Sequence, residues 1–236
     1  MPESVKNIDV LILCGGRGKR LRSITSKPKP MLEFGKQPLL DIILNYLAGF
    51  GFRRFILGIG YKADVIKSYY GKNKIRSLNI RFCHEKRPLD TGGAVRNAKK
   101  LIKSRQFFVL NGDSFCRFNP LEFLRFHKEK KSLVSILLKR VACGKDFGEI
   151  KMDRASRISS FREKKNNARN CLINAGVYIF DKRAFQQMPR LNKFSLEQDF
   201  FPKIAGKNIF GYEKSGFFID IGTPQRYLKA KRSFKG

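Results

Sequence analysis

The segment Gly15-Gly16-Arg17-Gly18-Lys19-Arg20-Leu21 follows a short apolar run. Its glycines allow backbone N–H groups to come close to phosphate oxygens. It is not a dinucleotide fingerprint, because Leu21 stands where a third glycine is required. Nor is it a Walker A loop, which needs glycine at Leu13 and Ser or Thr at Arg20. Further along the same loop, Lys29 lies between Pro28 and Pro30, whose fixed φ angles stiffen the backbone. A rigidly held Lys beside a glycine cradle suits a triphosphate, although a simple turn and a solvated loop charge fit the same residues. Two acids could complete such a site. Asp113 closes Asn111-Gly112-Asp113 at the end of an apolar stretch, where a carboxylate can meet a metal-bound phosphate or serve an ordinary turn. Asp220 sits in Phe218-Ile219-Asp220-Ile221-Gly222, and an acid among apolar residues needs a partner or a metal.

These residues need a scaffold, and the hydrophobic pattern supplies one. Residues 9–14 read as a buried strand, 38–50 as a helix, 54–60 as a strand and 62–70 as a helix. The run NIRFCHE is a third strand, 93–103 a helix, and 106–112 a strand leading into the acidic loop. The pattern continues with a helix at 120–131, a strand at 133–139 and short strands between 148 and 162. A strand at 172–180, a helix at 196–204, the segment 217–222 and a helix at 224–234 complete it. Strands alternating with helices imply an α/β fold with a mostly parallel sheet covered on both faces. Ligands bind such sheets beyond the carboxyl ends of the strands, which directs attention to the loops after 14, after 111 and around 220. Composition gives no linker and no repeat, so one domain over 1–236 is expected.

The formal net charge is +31, from 50 Lys and Arg against 19 Asp and Glu. That balance suits anionic partners. The basic residues are spread in short clusters such as Lys99-Lys100 and Lys229 to Arg232, as expected of a solvated surface. They make no stripe interleaved with aromatics, which argues against nucleic acid as the partner. Five cysteines without a CxxC pair, and two histidines, argue against structural zinc and suit reduced thiols in the cytoplasm. No apolar run reaches membrane-spanning length, and Val10 to Cys14 is too short for a signal-peptide core. A homo-oligomer is left open.

The motifs together resemble the sugar-1-phosphate nucleotidyltransferases: GGxGxRL, PKPM and Pro38 in the first loop, NGD at 111–113 and DIGTP at 220–224. Between the acids, Phe147-Gly148 resembles the family's YG turn, Phe161 to Lys164 its F.EK motif, Asn174 to Tyr178 its NAG.Y, and Ser195-Leu196-Glu197 its SLE. The resemblance covers essentially the whole chain. It implies a single-domain, Rossmann-like three-layer α/β/α fold with a mostly parallel mixed sheet, the nucleotide-diphospho-sugar transferase fold. It implies that a nucleoside triphosphate is held by Leu13, Gly15, Gly16, Gly18, Arg20, Lys29, Glu85, Thr91, Gly92 and Asp113. It places the sugar phosphate at Gly148, Glu163, Lys164, Asn174 and Glu197, and Mg²⁺ on Asp113 and Asp220. Arg20, Lys29, Asp113 and Lys164 would be the catalytic set. Two positions depart from the family: Lys19 stands where Thr is usual, and Asp90 replaces a glycine in the LGTGGA pattern read by the base. An acid at 90 could accept from guanine N1–H and N2–H, or it could point to solvent. LCGG, EKxPLxTGGA and FIDIGTP most resemble the D-glycero-α-D-manno-heptose 1-phosphate guanylyltransferases. Mannose 1-phosphate guanylyltransferases and amino-sugar uridylyltransferases compete closely. The length leaves no room for a C-terminal β-helix, so a second, acetyltransferase activity is not expected.

Overall fold

The structure, a computed structural model, describes residues 4–72, 75, 78–143, 148–162 and 169–233. In chain order the strands are β1 (Asp9–Leu13), β2 (Glu33–Phe34), β3 (Gln37–Pro38), β4 (Arg54–Ile59), β5 (Asn79–His84), β6 (Gln106–Asn111) and β7 (Ser114–Cys116). They continue with β8 (Val134–Cys143), β9 (Glu149–Met152), β10 (Ile158–Arg162), β11 (Arg169–Asp181), β12 (Ile209–Glu213) and β13 (Phe218–Asp220). The helices are α1 (Leu39–Gly49), α2 (Ala63–Lys72), α3 (Asp90–Asn97), α4 (Pro120–Glu129), α5 (Ala184–Gln187), α6 (Phe201–Ile204) and α7 (Pro224–Ser233).

The main sheet has the order β12-β8-β11-β6-β1-β4-β5. β1 pairs in parallel with β4 and β6, β4 with β5, and β8 with β12, whereas β11 runs antiparallel to both β6 and β8. Alternation along the strands makes two cores. Val10, Ile12, Phe108 and Leu110 join the buried faces of α1, α2 and α4, while Leu11, Phe107 and Val109 join those of α3, α5 and α6. A central parallel strand must be apolar on both sides to sit between two helical layers, and Val10, Leu11 and Ile12 are fully buried. The expected mixed, mostly parallel three-layer sheet is therefore present.

The sheet is fastened at the end of β1 away from the glycine loop. Buried Asp9 accepts from the backbone N–H of Lys103 at 2.6 Å and of Ser104 at 2.7 Å, both on Oδ2. Its Oδ1 faces the Arg54 guanidinium at 2.9 Å. On the helical layer, Asp41 of α1 accepts from the hydroxyls of Tyr69 and Tyr70 of α2 at 2.6 and 2.7 Å, clamping the two helices together.

Besides the short elements β2, β3, β7 and α5, which the pattern does not mark, three larger departures from the sequence expectations stand out. The helix expected at 196–204 is a single π turn at Leu196–Phe200 followed by α6. Pro202 has no N–H to donate to Gln198, so a continuous α-helix is interrupted there. The helix expected at 93–103 starts at Asp90 and ends in a 3₁₀ turn at Ala98–Lys100. β12 was not anticipated. Its central Gly211 reads as a strand breaker, yet a Cβ there would lie 2.5 Å from Leu138 Cδ1 and 3.2 Å from Met152 Sδ. The glycine lets the edge strand pack closely on those side chains.

Cys14, Cys83, Cys116 and Cys171 are buried free thiols. Among the described residues no helix is long and apolar enough to cross a membrane.

His127 of α4 is fully buried; its Nδ1 lies 2.9 Å from Ser135 Oγ, and Nε2 has no hydrogen-bond partner. Burial, aided by Arg183 and opposed by Asp181, pushes its pKa down to about 4. A group depressed in the fold stabilises it while neutral in both states. That contribution is complete above the unfolded pKa of about 6.5 and is lost as pH falls toward 4. Chemical denaturation is expected to show a loss of about 3 kcal/mol across that window, and the loss should shrink in His127→Gln.

Candidate active site

In the main sheet the chain runs outward from β1 to β4 and β5, then returns to place β6 on the other side of β1. This reversal is the topological switch point where open α/β sheets bind ligands. Beyond it lies a cavity of about 750 Å³, walled by the loop after β1, the end of β6, the start of α3 and residues 193–198.

The glycine loop is pinned at both ends by apolar anchors. Gly18 takes a left-handed φ of +57° and opens the 3₁₀ turn Lys19–Leu21, in which Leu21 is buried. A second 3₁₀ turn, Lys29–Met31, is held by buried Pro30 and Met31. These anchors turn Lys29 toward β6, and its Nζ donates to Asp113 Oδ2 at 2.7 Å, with 14% of the Lys29 side chain and 31% of that of Asp113 exposed. The ends of β1 and β6 touch: Gly112 N–H donates to Leu13 O at 3.0 Å, and a Cβ on Gly112 would stand 2.8 Å from that oxygen. Asp113 and Asp220 belong to neighbouring segments, because β13 pairs with β7 in the register Asp220↔Ser114 and Ile221 N–H donates to Asp113 O at 3.0 Å. Asp220 Oδ1 accepts from Arg226 Nη1 at 2.6 Å and from Gly222 N–H at 2.9 Å. A methyl group on Gly222 would lie 3.0 Å from Asp220 Oδ1, 3.3 Å from Arg20 Nη2 and 3.7 Å from Arg226 Nη1. Arg20 and Asp220 thus converge on one spot, with Lys29 and Asp113 on the adjoining strand end.

On the opposite wall, Glu85 lies so close to Gly15 that a Cβ there would meet its Oε1 at 2.5 Å. Burial raises the Glu85 pKa, with the Leu89 backbone opposing and Asp90 adding. Asp90 has φ +57° and lies 3.7 Å from Lys193 Nζ. That left-handed backbone accounts for glycine in the family pattern, and Asp is among the residues that tolerate it best. Thr91 donates to Glu197 Oε2 at 2.7 Å and accepts from Leu196 N–H at 2.9 Å. Gly92 and Gly93 donate to Phe194 O at 2.9 and 3.1 Å; a Cβ on Gly92 would enter the Phe194 ring at 2.2 Å. Gly92 therefore faces the Phe194 ring, and its lack of a side chain lets residues 192–197 lie on α3.

Glu197 also accepts from Ser195 Oγ at 2.8 Å and from the hydroxyl of buried Tyr178 at 3.0 Å. Asn174 Nδ2 donates to that hydroxyl at 2.8 Å. The pairing explains how residues four apart on one strand meet. Between Asn174↔Leu138 and Tyr178↔Ile136, four steps on β11 oppose two on β8, and Gly176 in the bulge has φ +73°. Gly148 is exposed just ahead of β9. Glu163 and Lys164 lie outside the described residues, as does Phe147.

The structure thus brings Leu13, Gly15, Gly16, Gly18, Arg20, Lys29, Glu85, Thr91, Asp113 and Glu197 to one cavity. Sequence reasoning did not nominate Cys14, Arg17, Asn111, Lys193 or Ser195, which also line it. Asn111 and Ser195 stood inside the quoted NGD and SLE motifs, whereas nothing in the residues around Lys193 marks it. Among the described residues no group of three or more His, Cys, Asp or Glu side chains is placed to hold a metal. Asp113 and Asp220, carboxylates carried on hydrogen-bonded neighbouring segments, are of the chemistry that suits a hard cation taking its remaining oxygens from water and phosphate.

Over residues 9–235 the chain matches the family model described as nucleotidyl transferase. It is 35% identical over 230 residues to the D-glycero-alpha-D-manno-heptose 1-phosphate guanylyltransferase of Aneurinibacillus thermoaerophilus, covering 97% of this chain and 99% of that one. It is 32% identical to the mannose-1-phosphate guanylyltransferase of Mycobacterium tuberculosis, over 94% of this chain but 63% of the relative's length. HddC from Yersinia pseudotuberculosis superposes with a TM-score of 0.86 at 36% identity, over 97% of this chain and 100% of that one, and has also been solved in complex with GMP-PN. A glycine loop lining the cavity, a Lys–Asp pair at the switch point and this match from β1 to α7 agree: the chain belongs to the nucleotidyl transferase family.

Proposed function

We propose that the chain transfers a nucleoside monophosphate from GTP to D-glycero-α-D-manno-heptose 1-phosphate, releasing pyrophosphate, as one cytoplasmic nucleotidyltransferase domain over residues 1–236. One observation carries the reading: Lys29 and Asp113 meet at 2.7 Å at the switch point, beneath the glycine loop and beside Arg20 and Asp220. The heptose is favoured over mannose by the motifs LCGG, EKxPLxTGGA and FIDIGTP, and two D-glycero-alpha-D-manno-heptose 1-phosphate guanylyltransferases are each 35% identical to this chain.

The chemistry is in-line attack of the sugar phosphate oxygen on the α-phosphorus, without a covalent enzyme intermediate. The two substrates together carry about six negative charges, so their mutual repulsion is the main obstacle. The backbone of Gly15 to Gly18 cradles the triphosphate, and Arg20 and Lys29 neutralise it as charge moves toward the departing pyrophosphate. Asp113 and Asp220 would hold Mg²⁺, which when bound screens phosphate charge and draws the reacting groups into line. Glu197 lines the cavity, and Asn174, Gly148, Glu163 and Lys164 are assigned with it to the sugar side by resemblance. Thr91, Glu85 and Asp90 face the base, where the Asp90 carboxylate accepts from guanine N1–H and N2–H.

A pyrophosphate-release assay should cross GTP, UTP, dTTP, CTP and ATP with heptose, mannose, glucose and N-acetylhexosamine 1-phosphates. GTP with the heptose phosphate is expected to give the highest kcat/KM; no release with any pair would sink the proposal. Asp90→Gly keeps the left-handed backbone and should lower the preference for GTP over ATP by about tenfold, the loss of one or two hydrogen bonds. An unchanged preference would remove Asp90 from base reading.

A further inference from the structure

One cation beside the proposed metal site has no part in the reaction as drawn. Arg226, in the first turn of α7, lies 2.6 Å from Asp220 Oδ1, and the two side chains are only 19% and 21% exposed. Gly222 N–H donates to the same oxygen, so Oδ1 is engaged twice and its carboxylate is fixed in orientation. Asp113 is arranged alike, with Lys29 on Oδ2. Each of the two acids therefore carries its own side-chain cation. A divalent ion arriving alone meets positive charge at both carboxylates. A polyphosphate changes the balance, because its oxygens can take over Lys29 and engage Arg20, which stands beside Gly222 next to the Asp220–Arg226 pair.

We propose that Arg226 is a positioning residue that holds Asp220 by one oxygen and, with Lys29 on Asp113, makes the divalent ion and the nucleotide bind as a coupled pair. The inference rests on the reading of Asp113 and Asp220 given above. Coupling of this kind is reciprocal: whatever the nucleotide adds to metal affinity, the metal adds to nucleotide affinity. If the Arg226 charge did not bear on the ion, metal affinity would be the same in a neutral variant.

The test is Mn²⁺ binding by the full chain, followed through the EPR signal of the free ion, with and without guanosine 5′-(β,γ-imido)triphosphate and with no sugar phosphate present, the Mn²⁺ taken up by the nucleotide alone being measured without protein and subtracted. In the unaltered protein the nucleotide is expected to tighten Mn²⁺ binding by at least roughly tenfold. Arg226→Met should tighten binding of Mn²⁺ alone by roughly tenfold, the order expected on removing a unit charge a few ångströms away in a partly solvated site. Arg226→Lys, which keeps the charge, should behave as the unaltered protein. If Arg226→Met does not fold, as judged by circular dichroism, Arg226→Gln takes its place. Equal Mn²⁺ affinity with and without nucleotide in the unaltered protein, or no tightening in the neutral variants, overturns the inference and leaves the reaction standing. Failure to bind Mn²⁺ even with nucleotide, or binding that survives Asp113→Asn with Asp220→Asn, overturns the metal assignment itself.

Discussion

Asp113→Ala is expected to lower turnover by about 10²–10³-fold, the usual cost of removing one group that stabilises charge in the transition state, while leaving the fold intact. The carboxylate is partly exposed and is met by Lys29 of the site itself, while the residue is tied to the scaffold through its backbone carbonyl, which accepts from Ile221 N–H. Deleting the side chain therefore removes chemistry and not scaffold. Lys29→Ala should cost a similar factor. Because Lys29 and Asp113 touch at 2.7 Å, the double variant should lose much less than the product of the two single losses, as residues acting as one unit do. Steady-state kinetics on GTP and heptose 1-phosphate, with melting curves alongside, decide it. Turnover within about threefold of normal in either single variant is far below the expected loss and would remove that residue from the machinery.

The largest effect on stability is expected from Asp9→Ala, at the far end of the same strand. The change leaves the Lys103 and Ser104 N–H groups without their acceptor and strips the Arg54 guanidinium of its counter-charge, all against a fully buried position. Breaking a buried carboxylate of this kind costs about 3 kcal/mol, or a melting temperature lower by about 8 °C for a domain of this size. Activity per folded molecule should be unchanged at low temperature, because Asp9 is at the opposite end of β1 from the glycine loop. Equilibrium denaturation showing a loss under about 0.5 kcal/mol, the range of ordinary surface substitutions, would mean that the loop at 103–104 is held by other contacts.

The layout of the site was legible because its residues sit at strand ends, and strand ends are marked by the change from apolar runs to glycine, proline and acid. Val10 to Cys14 followed by two glycines, and Phe107 to Leu110 followed by Asn-Gly-Asp, locate both sides of the switch point before any coordinates are known. What remained hidden is set by pairing across distance. Lys193 reaches Asp90 over a separation in sequence that no local pattern encodes. Arg226 reads as one more basic residue on a basic helix until Asp220 is found beside it. β12 was invisible because a glycine sits at its centre, and the turn at 196–200 because period alone does not report a proline's missing N–H. The glycines at 92 and 93 were legible as a motif but not as what they are in space, the clearance for Phe194.

The chain of hydrogen bonds from Thr91 through Glu197 and Tyr178 to Asn174 bears on efforts to alter what the protein accepts. Exchanging Asn174 by itself removes a donor from the tyrosine hydroxyl, which still donates to the glutamate, and the change is passed along to the threonine on the facing wall, since a buried polar string responds as a whole. Single-site scans would then score as damaging many side chains that are tolerated in the right company. Libraries that randomise these four positions together are the better route to new sugar nucleotides.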